Sequence, residues 1–204
     1  MPSTIELSDS SVIKYFDHAD EWARELKVYQ SALPHVPKLL DHGTAPVCFI
    51  KLTRIAGIPY LDEPDFPISA LAAAIADFHL ATLESSGRCL CHIDNQPKNV
   101  LLSNGDYYLL DFSDLRMDYP ETDISHLLLF WAAEFSNADF IRKARVFLSE
   151  YQKAIPLRTK LWIELLQQNI ALFDARRMQH GKGLHSGQEM ELSRQWLRAN
   201  ALLL

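Results

Sequence analysis

Between Val100 and Leu110 the chain writes a hairpin: the runs Val100-Leu101-Leu102 and Tyr107-Tyr108-Leu109-Leu110 flank Ser103-Asn104-Gly105-Asp106. Asn-Gly supplies the positive φ angles that a tight two-residue turn needs, and is the strongest short-range hairpin signal. A hairpin goes out and back, so Asn99 at its entry and Asp111 at its exit are expected side by side. Just before it stands His92-Ile93-Asp94-Asn95-Gln96-Pro97-Lys98-Asn99, which reads as a brief strand from Cys89 leading into a turn that holds Pro97. A fold built on this stretch must present Asp94, Asn99 and Asp111 on loops around one small hairpin.

The rest of the chain reads as a small mixed part, a connector and a larger helical part. Ser11 to Phe16 is β-branched and aromatic and is expected as a strand. Asp17 is placed to cap a helix running to about Leu33, with the stripe Trp22, Leu26, Tyr29 and Leu33 and a stop at Pro34. Pro46 to Ile55 is a second strand region, stopped at Gly57. The Pro-rich piece Pro59 to Pro67 is the connector, and the division is drawn as residues 1–57 and 58–204. Ser69 is placed to cap a helix to about Ser86 with Gly87 as its stop, and three or four helices are expected from Asp123 onward. The tract Gln179 to Gly187 reads as a flexible loop between them.

At 204 residues, 48% apolar and 23% charged, the chain can bury one good core or two lobes sharing a cleft. A net charge of −6 with no Lys/Arg-rich run argues against a nucleic-acid binder. Three cysteines, Cys48, Cys89 and Cys91, make no disulfide framework and favour a reducing compartment. With neither a basic-then-apolar start nor an apolar run of membrane-spanning length, the expectation is a cytoplasmic protein without a membrane span.

The loop residues suit phosphoryl transfer to an alcohol. That reaction needs a carboxylate near the attacking hydroxyl and ligands for the metal that neutralises the phosphates. Asp94, in an exposed turn, suits the first task. Asn99 offers a neutral amide oxygen and Asp111 a charged one, the hard oxygen donors that Mg²⁺ takes together with substrate phosphates.

His92-x-Asp94-x-x-x-x-Asn99 followed by Asp111-Phe112-Ser113 resembles the protein-kinase-like superfamily, with its catalytic loop H-x-D-x-x-x-x-N and metal loop D-F-G. The resemblance runs from Val12 to roughly Trp131. It implies an α+β, two-lobe kinase-like fold with an abbreviated N-terminal lobe and a helical C-terminal lobe. It also implies ATP and Mg²⁺ as cofactors, Asp94 as catalytic base, and Asn99 and Asp111 as metal ligands. Val12-Ile13-Lys14 resembles the strand carrying the phosphate-binding lysine, and Glu25, nearer the buried edge of its helix than Glu21, is the expected partner of Lys14. Leu52, Thr53 and Ile55 are expected at the strand end and hinge that meet the adenine. His79 reads as a packed core histidine at a position where many family members carry one. Asp123 is either an acid at a helix N-terminus or the buried aspartate that accepts catalytic-loop amides in the family. Cys89 and Cys91 read as packed thiols.

The chain also departs from the superfamily's pattern. Its first glycine is Gly43, so no glycine-rich phosphate loop precedes Lys14, and two full strands do not fit before it. Ser113 to Thr122 is too short for a peptide-docking activation segment. These departures point away from regulated protein kinases and toward the aminoglycoside-phosphotransferase-like, lipopolysaccharide-kinase-like and RIO-type members. The expected acceptor is a hydroxyl on a small molecule, saccharide or protein, with residues 137–204 shaping its site. The alternatives are a pseudokinase-type binding module, or a nucleotide cleft that a protein partner completes.

Overall fold

The computed structural model describes residues 4–179 and 187–199. Its N-terminal part is a four-stranded antiparallel sheet in the order β1-β2-β4-β3, from β1 (Ile5–Leu7), β2 (Ser11–Phe16), β3 (Leu39–Gly43) and β4 (Cys48–Thr53). Helix α1 (Ala19–Gln30) packs on this sheet, burying Glu25, Leu26, Val28 and Tyr29, while the Trp22 indole donates to the Phe49 carbonyl at 3.0 Å. The helix is shorter than its apolar stripe suggests: His18 takes the capping position and Leu33 lies past the last turn. Strand β3 carries no sequence signal, since Asp41, His42 and Gly43 have poor strand propensity. Its pairing with β4 is what makes it a strand.

Next comes a three-stranded sheet, β5 (Ile58–Pro59), β7 (Val100–Ser103) and β8 (Asp106–Leu109), in the order β5-β7-β8. The β7–β8 hairpin closes at Ser103 opposite Asp106, with Asn104 and Gly105 at φ 52° and 86°, as their identities require. Gly57 leads into β5, where an added Cβ would lie 2.6 Å from the Leu102 carbonyl oxygen. A third small sheet pairs β6 (Cys89–Cys91) with β9 (Arg116–Asp118).

Helices α2 (Ile68–Leu80), α3 (Pro120–Glu134), α4 (Asn137–Ala154), α5 (Thr159–Gln179) and α6 (Gln188–Ala199) complete the described fold. Helix α3 is buried on nearly every side, with α5 packed on it and α2 packed on α4. It begins earlier than Asp123 because Pro120 fits the first helical turn, where a missing N–H costs nothing. Helix α2 stops at Leu80, well before Gly87, as the chain turns and Thr82 N donates to His79 O. One continuous apolar core runs from Phe16 through Trp131 to Leu197. The loop tract read between Gln179 and Gly187 lies, apart from its two ends, outside the described residues. No helix of the described residues is long and apolar enough to cross a membrane.

Candidate active site

Lys14 sits in the middle of β2, opposite Ile50, and its ammonium joins two elements. Lys14 Nζ lies 2.6 Å from Glu25 Oε1 on α1 and 2.8 Å from Asp111 Oδ1 beyond the hairpin. Burial disfavours the Lys14 charge, but Glu25 and Asp111 outweigh it and raise its pKa, so the ammonium is held. Burial likewise works against the Asp111 carboxylate, and the Lys14 contact overcomes it, leaving the pKa lowered. Glu25 is different. Burial pushes its pKa up despite Lys14, and its Oε2 is buried with no hydrogen-bond partner.

The Asp94 loop is fixed from below. Asp123, at the start of α3, is 1% exposed, and its carboxylate accepts from His92 N at 2.8 Å and Ile93 N at 2.7 Å. Asn95 Nδ2 reaches the Asp123 carbonyl at 2.8 Å, and His79 Nε2 reaches Asp123 Oδ2 at 3.0 Å. The other ring nitrogen of His79 is 2.7 Å from the Tyr151 hydroxyl, so α2, α3 and α4 are tied to the loop through one carboxylate. Burial opposes the Asp123 charge, but His79 and His92 outweigh it and lower its pKa. Asp123 meets both readings: it lies in the first turn of α3, and its buried carboxylate accepts the loop amides. This anchoring lets Ile93 hold φ 67°, a conformation that a β-branched residue rarely adopts. Asp111 has φ 62°, and Phe112 beside it is fully buried, stacked on Phe78 and edge-on to Tyr29. His92 Nε2 meets the Leu110 carbonyl at 2.7 Å and links the two loops.

Within the loop, Asp94 Oδ2 accepts from Gln96 Nε2 at 2.7 Å and Asn99 Nδ2 at 2.9 Å. Asp94 Oδ1 has Arg176 Nη1 at 3.9 Å. The Asn99 amide nitrogen also donates to the Asp94 carbonyl at 2.8 Å, so both bonds fall on the nitrogen and leave Asn99 Oδ1 as the unspent end. Asn99 Oδ1 and the Asp111 carboxylate are hard oxygen donors on adjoining loops, the chemistry that Mg²⁺ prefers.

Two cavities flank these residues. One, of about 670 Å³, lies between the N-terminal sheet and the hairpin. Its wall includes Leu52, Thr53 and Ile55, and its inner end Lys14, Asn99 and Asp111. The β1–β2 turn beside it is closed on itself: Ser8 N donates to Ser11 O at 2.9 Å, and Ser11 N to Ser8 Oγ at 3.0 Å. It is also tied down by Arg54, whose Nη1 donates to Ser8 O at 2.8 Å. The Ser8 and Ser11 amides are thus spent within the turn, which stands where a glycine-rich loop would.

The second cavity, about 640 Å³, opens on Asp94 from the other side, and Lys98 borders both. Its walls come from α3 and α5, through His126, Phe130, Phe173 and Arg176. Sequence reasoning did not find these residues individually; along their helices they look like an ordinary apolar face and its polar flank. Arg176 Nη2 also binds Asp114 Oδ2 at 2.9 Å. His126 is buried, which pushes its pKa down to about 4, and its Nδ1 has no partner. The His79, Cys89 and Cys91 donor atoms lie within 4.8 Å of one another, but both His79 nitrogens are engaged and Cys91 Sγ donates to the Tyr119 carbonyl at 3.3 Å. The thiols are packed against each other at 3.7 Å, and His79 serves the Asp123 anchor.

The model of the phosphotransferase enzyme family, APH, matches residues 17–157, which hold Glu25, Asp94, Asn99, Asp111 and Asp123 but neither Lys14 nor Arg176. No curated protein sequence matches the chain. Among solved structures, the amicoumacin kinase hAmiN, in complex with AMP-PNP, Ca²⁺ and Ami, is similar with a TM-score of 0.62 and 14% identity over 98% of this chain and 87% of that one. A thermostable mutant of aminoglycoside phosphotransferase APH(4)-Ia, in ternary complex with AMP-PNP and hygromycin B, gives 0.59 and 15% over 98% and 94%. A choline/ethanolamine kinase family protein from Mesorhizobium loti gives 0.57 and 13% over 97% and 90%. At these identities the structural likeness concerns the fold.

Proposed function

The chain belongs to the phosphotransferase enzyme family, and on that premise we propose that it transfers the γ-phosphoryl group of ATP, with Mg²⁺, to an alcohol. The observation that carries this reading is the Lys14 bridge between Glu25 and Asp111, set beside an Asp94 that faces a second cavity. The nucleotide belongs in the cavity walled by Leu52, Thr53 and Ile55, on the side we assign to residues 1–57 and their junction with 58–204. Neighbours of the same fold in complex with AMP-PNP support a nucleotide as the phosphoryl donor. Asn99 and Asp111 would hold the divalent cation, which supplies neutralisation of the phosphate charge. Lys14, released from Asp111 as phosphates arrive, gives the ammonium they pair with, and Glu25 keeps it in place.

The acceptor enters from the α3–α5 side. Its hydroxyl oxygen forms a bond to the γ-phosphorus as the bond from that phosphorus to the bridging oxygen breaks, releasing ADP. The hydroxyl proton passes to Asp94 Oδ1, since Oδ2 is occupied by Gln96 and Asn99. Gln96 therefore orients the base. Phosphorus NMR of ATP with a set of small alcohols, water included as the slow acceptor, tests this. We expect Mg²⁺-dependent loss of the γ-phosphate signal, slowed about 10²- to 10⁴-fold in Asp94→Ala. Equal rates in the two proteins would contradict the assignment.

A further inference from the structure

The charge lining of the second cavity narrows the acceptor class, an inference that rests on the phosphotransferase reading above. Among the described residues the lining carries carboxylates at Asp94, Asp114 and Glu134, matched in number by cations at Lys98, Arg176 and Arg177. Two of the carboxylates are already committed. Arg176 holds Asp114 at 2.9 Å and stands 3.9 Å from Asp94, which leaves Glu134 as the remaining carboxylate of a lining that also holds Lys98 and Arg177. A polycationic acceptor needs a surplus of carboxylates, and here it would have to lie against the Arg176 guanidinium.

We propose that the acceptor is an alcohol that also carries an oxyanion, phosphate or carboxylate, taken up by Arg176 and Arg177 beside Asp94. A guanidinium presents a planar fork of donors that matches such a group with two parallel hydrogen bonds. Arg177 is held over the Phe173 ring at 5.8 Å, which orients its fork on the cavity wall. Arg176 is 43% exposed and reaches both Asp94 and Asp114, so it can exchange a carboxylate of the protein for one of the ligand. That exchange also uncovers Asp94 only when the anion is present. His126, buried with an unpartnered Nδ1 on the same wall, adds a neutral hydrogen-bonding group without adding charge.

The test is calorimetric titration of the full chain, saturated with AMP-PNP and Mg²⁺ so that Lys14 is covered, with inorganic phosphate, acetate and choline in turn. The expected result is saturable binding of phosphate or acetate, whichever is the matching oxyanion, weakened about tenfold or more in Arg176→Gln and in Arg177→Gln. Choline is expected to give no saturable heat. Binding of choline without either anion, absence of anion binding, or anion binding unchanged in both variants overturns the proposal. Failure of AMP-PNP to bind would count against the phosphotransferase reading instead. The same anion titrations, run on the nucleotide-free Lys14→Gln protein, then decide the acceptor proposal separately.

Discussion

Asp123 and Asp111 are both aspartates beside a cationic or hydrogen-bonding partner, and they are built for opposite purposes. Asp123 is almost wholly buried and takes donors from His79, His92, Ile93 and Asn95, so every bond it makes is internal and permanent. The Asp111 side chain is 42% exposed, and Lys14 is its one ion-pair partner among the described residues. The first arrangement holds a strained loop still; the second keeps charge poised where a ligand can displace it. Stability should follow Asp123 and ligand binding should follow Asp111.

The largest effect is expected at the anchor. Asp123→Ala removes the acceptor of several buried donors and should lower the unfolding free energy by about 3–5 kcal/mol, measured by urea denaturation. If Asp123→Ala were as stable as the parent, the anchor would be no more than a surface contact. His126 gives a second handle on the buried side. Its folded pKa is depressed from 6.5 to about 4, so its contribution is fully present above about pH 6.5 and is lost as pH falls through about 4. Denaturation midpoints should drop across that interval by about 3 kcal/mol in stability, and His126→Gln should flatten the drop.

The poised side predicts smaller changes in stability and larger ones in binding. Lys14→Met removes charge-assisted bonds to phosphate and should weaken nucleotide binding roughly 10- to 100-fold, or about 1.5–3 kcal/mol, by calorimetry. The Glu25 left behind, already pushed toward its protonated form by burial, is expected to take up a proton. Asp111→Asn, which breaks a partly exposed ion pair, should change the unfolding free energy by no more than about 1 kcal/mol. A loss comparable to that of Asp123→Ala would erase the distinction between the two aspartates.

The sequence exposes these two aspartates unequally. Asp111 is legible because Asn104-Gly105 dictates the hairpin that returns it to Asn99, and Glu25 because the Trp22–Leu26 stripe sets the facing of α1. Asp123 stays open between a helix-dipole role and an anchor, since only packing brings His79 from α2 and the loop amides to it. The acceptor wall is less legible still. Arg176 meets Asp114 across 62 positions of sequence, and nothing local in α5 distinguishes it from a solvated helix arginine. Helix ends shifted for a similar reason: neither Asp17 nor Ser69 takes the capping position, because where the chain meets the sheet or the connector decides the first turn.

The most direct test of the account is the Mg²⁺ dependence of AMP-PNP binding, measured by calorimetry for the parent protein and for Asp111→Asn. Binding is expected to tighten with Mg²⁺ in the parent and to lose that dependence in Asp111→Asn while the fold and its stability persist. Binding that ignores Mg²⁺, or that responds to it equally in both proteins, would contradict the assignment of Asp111 as the exchangeable ligand of the site.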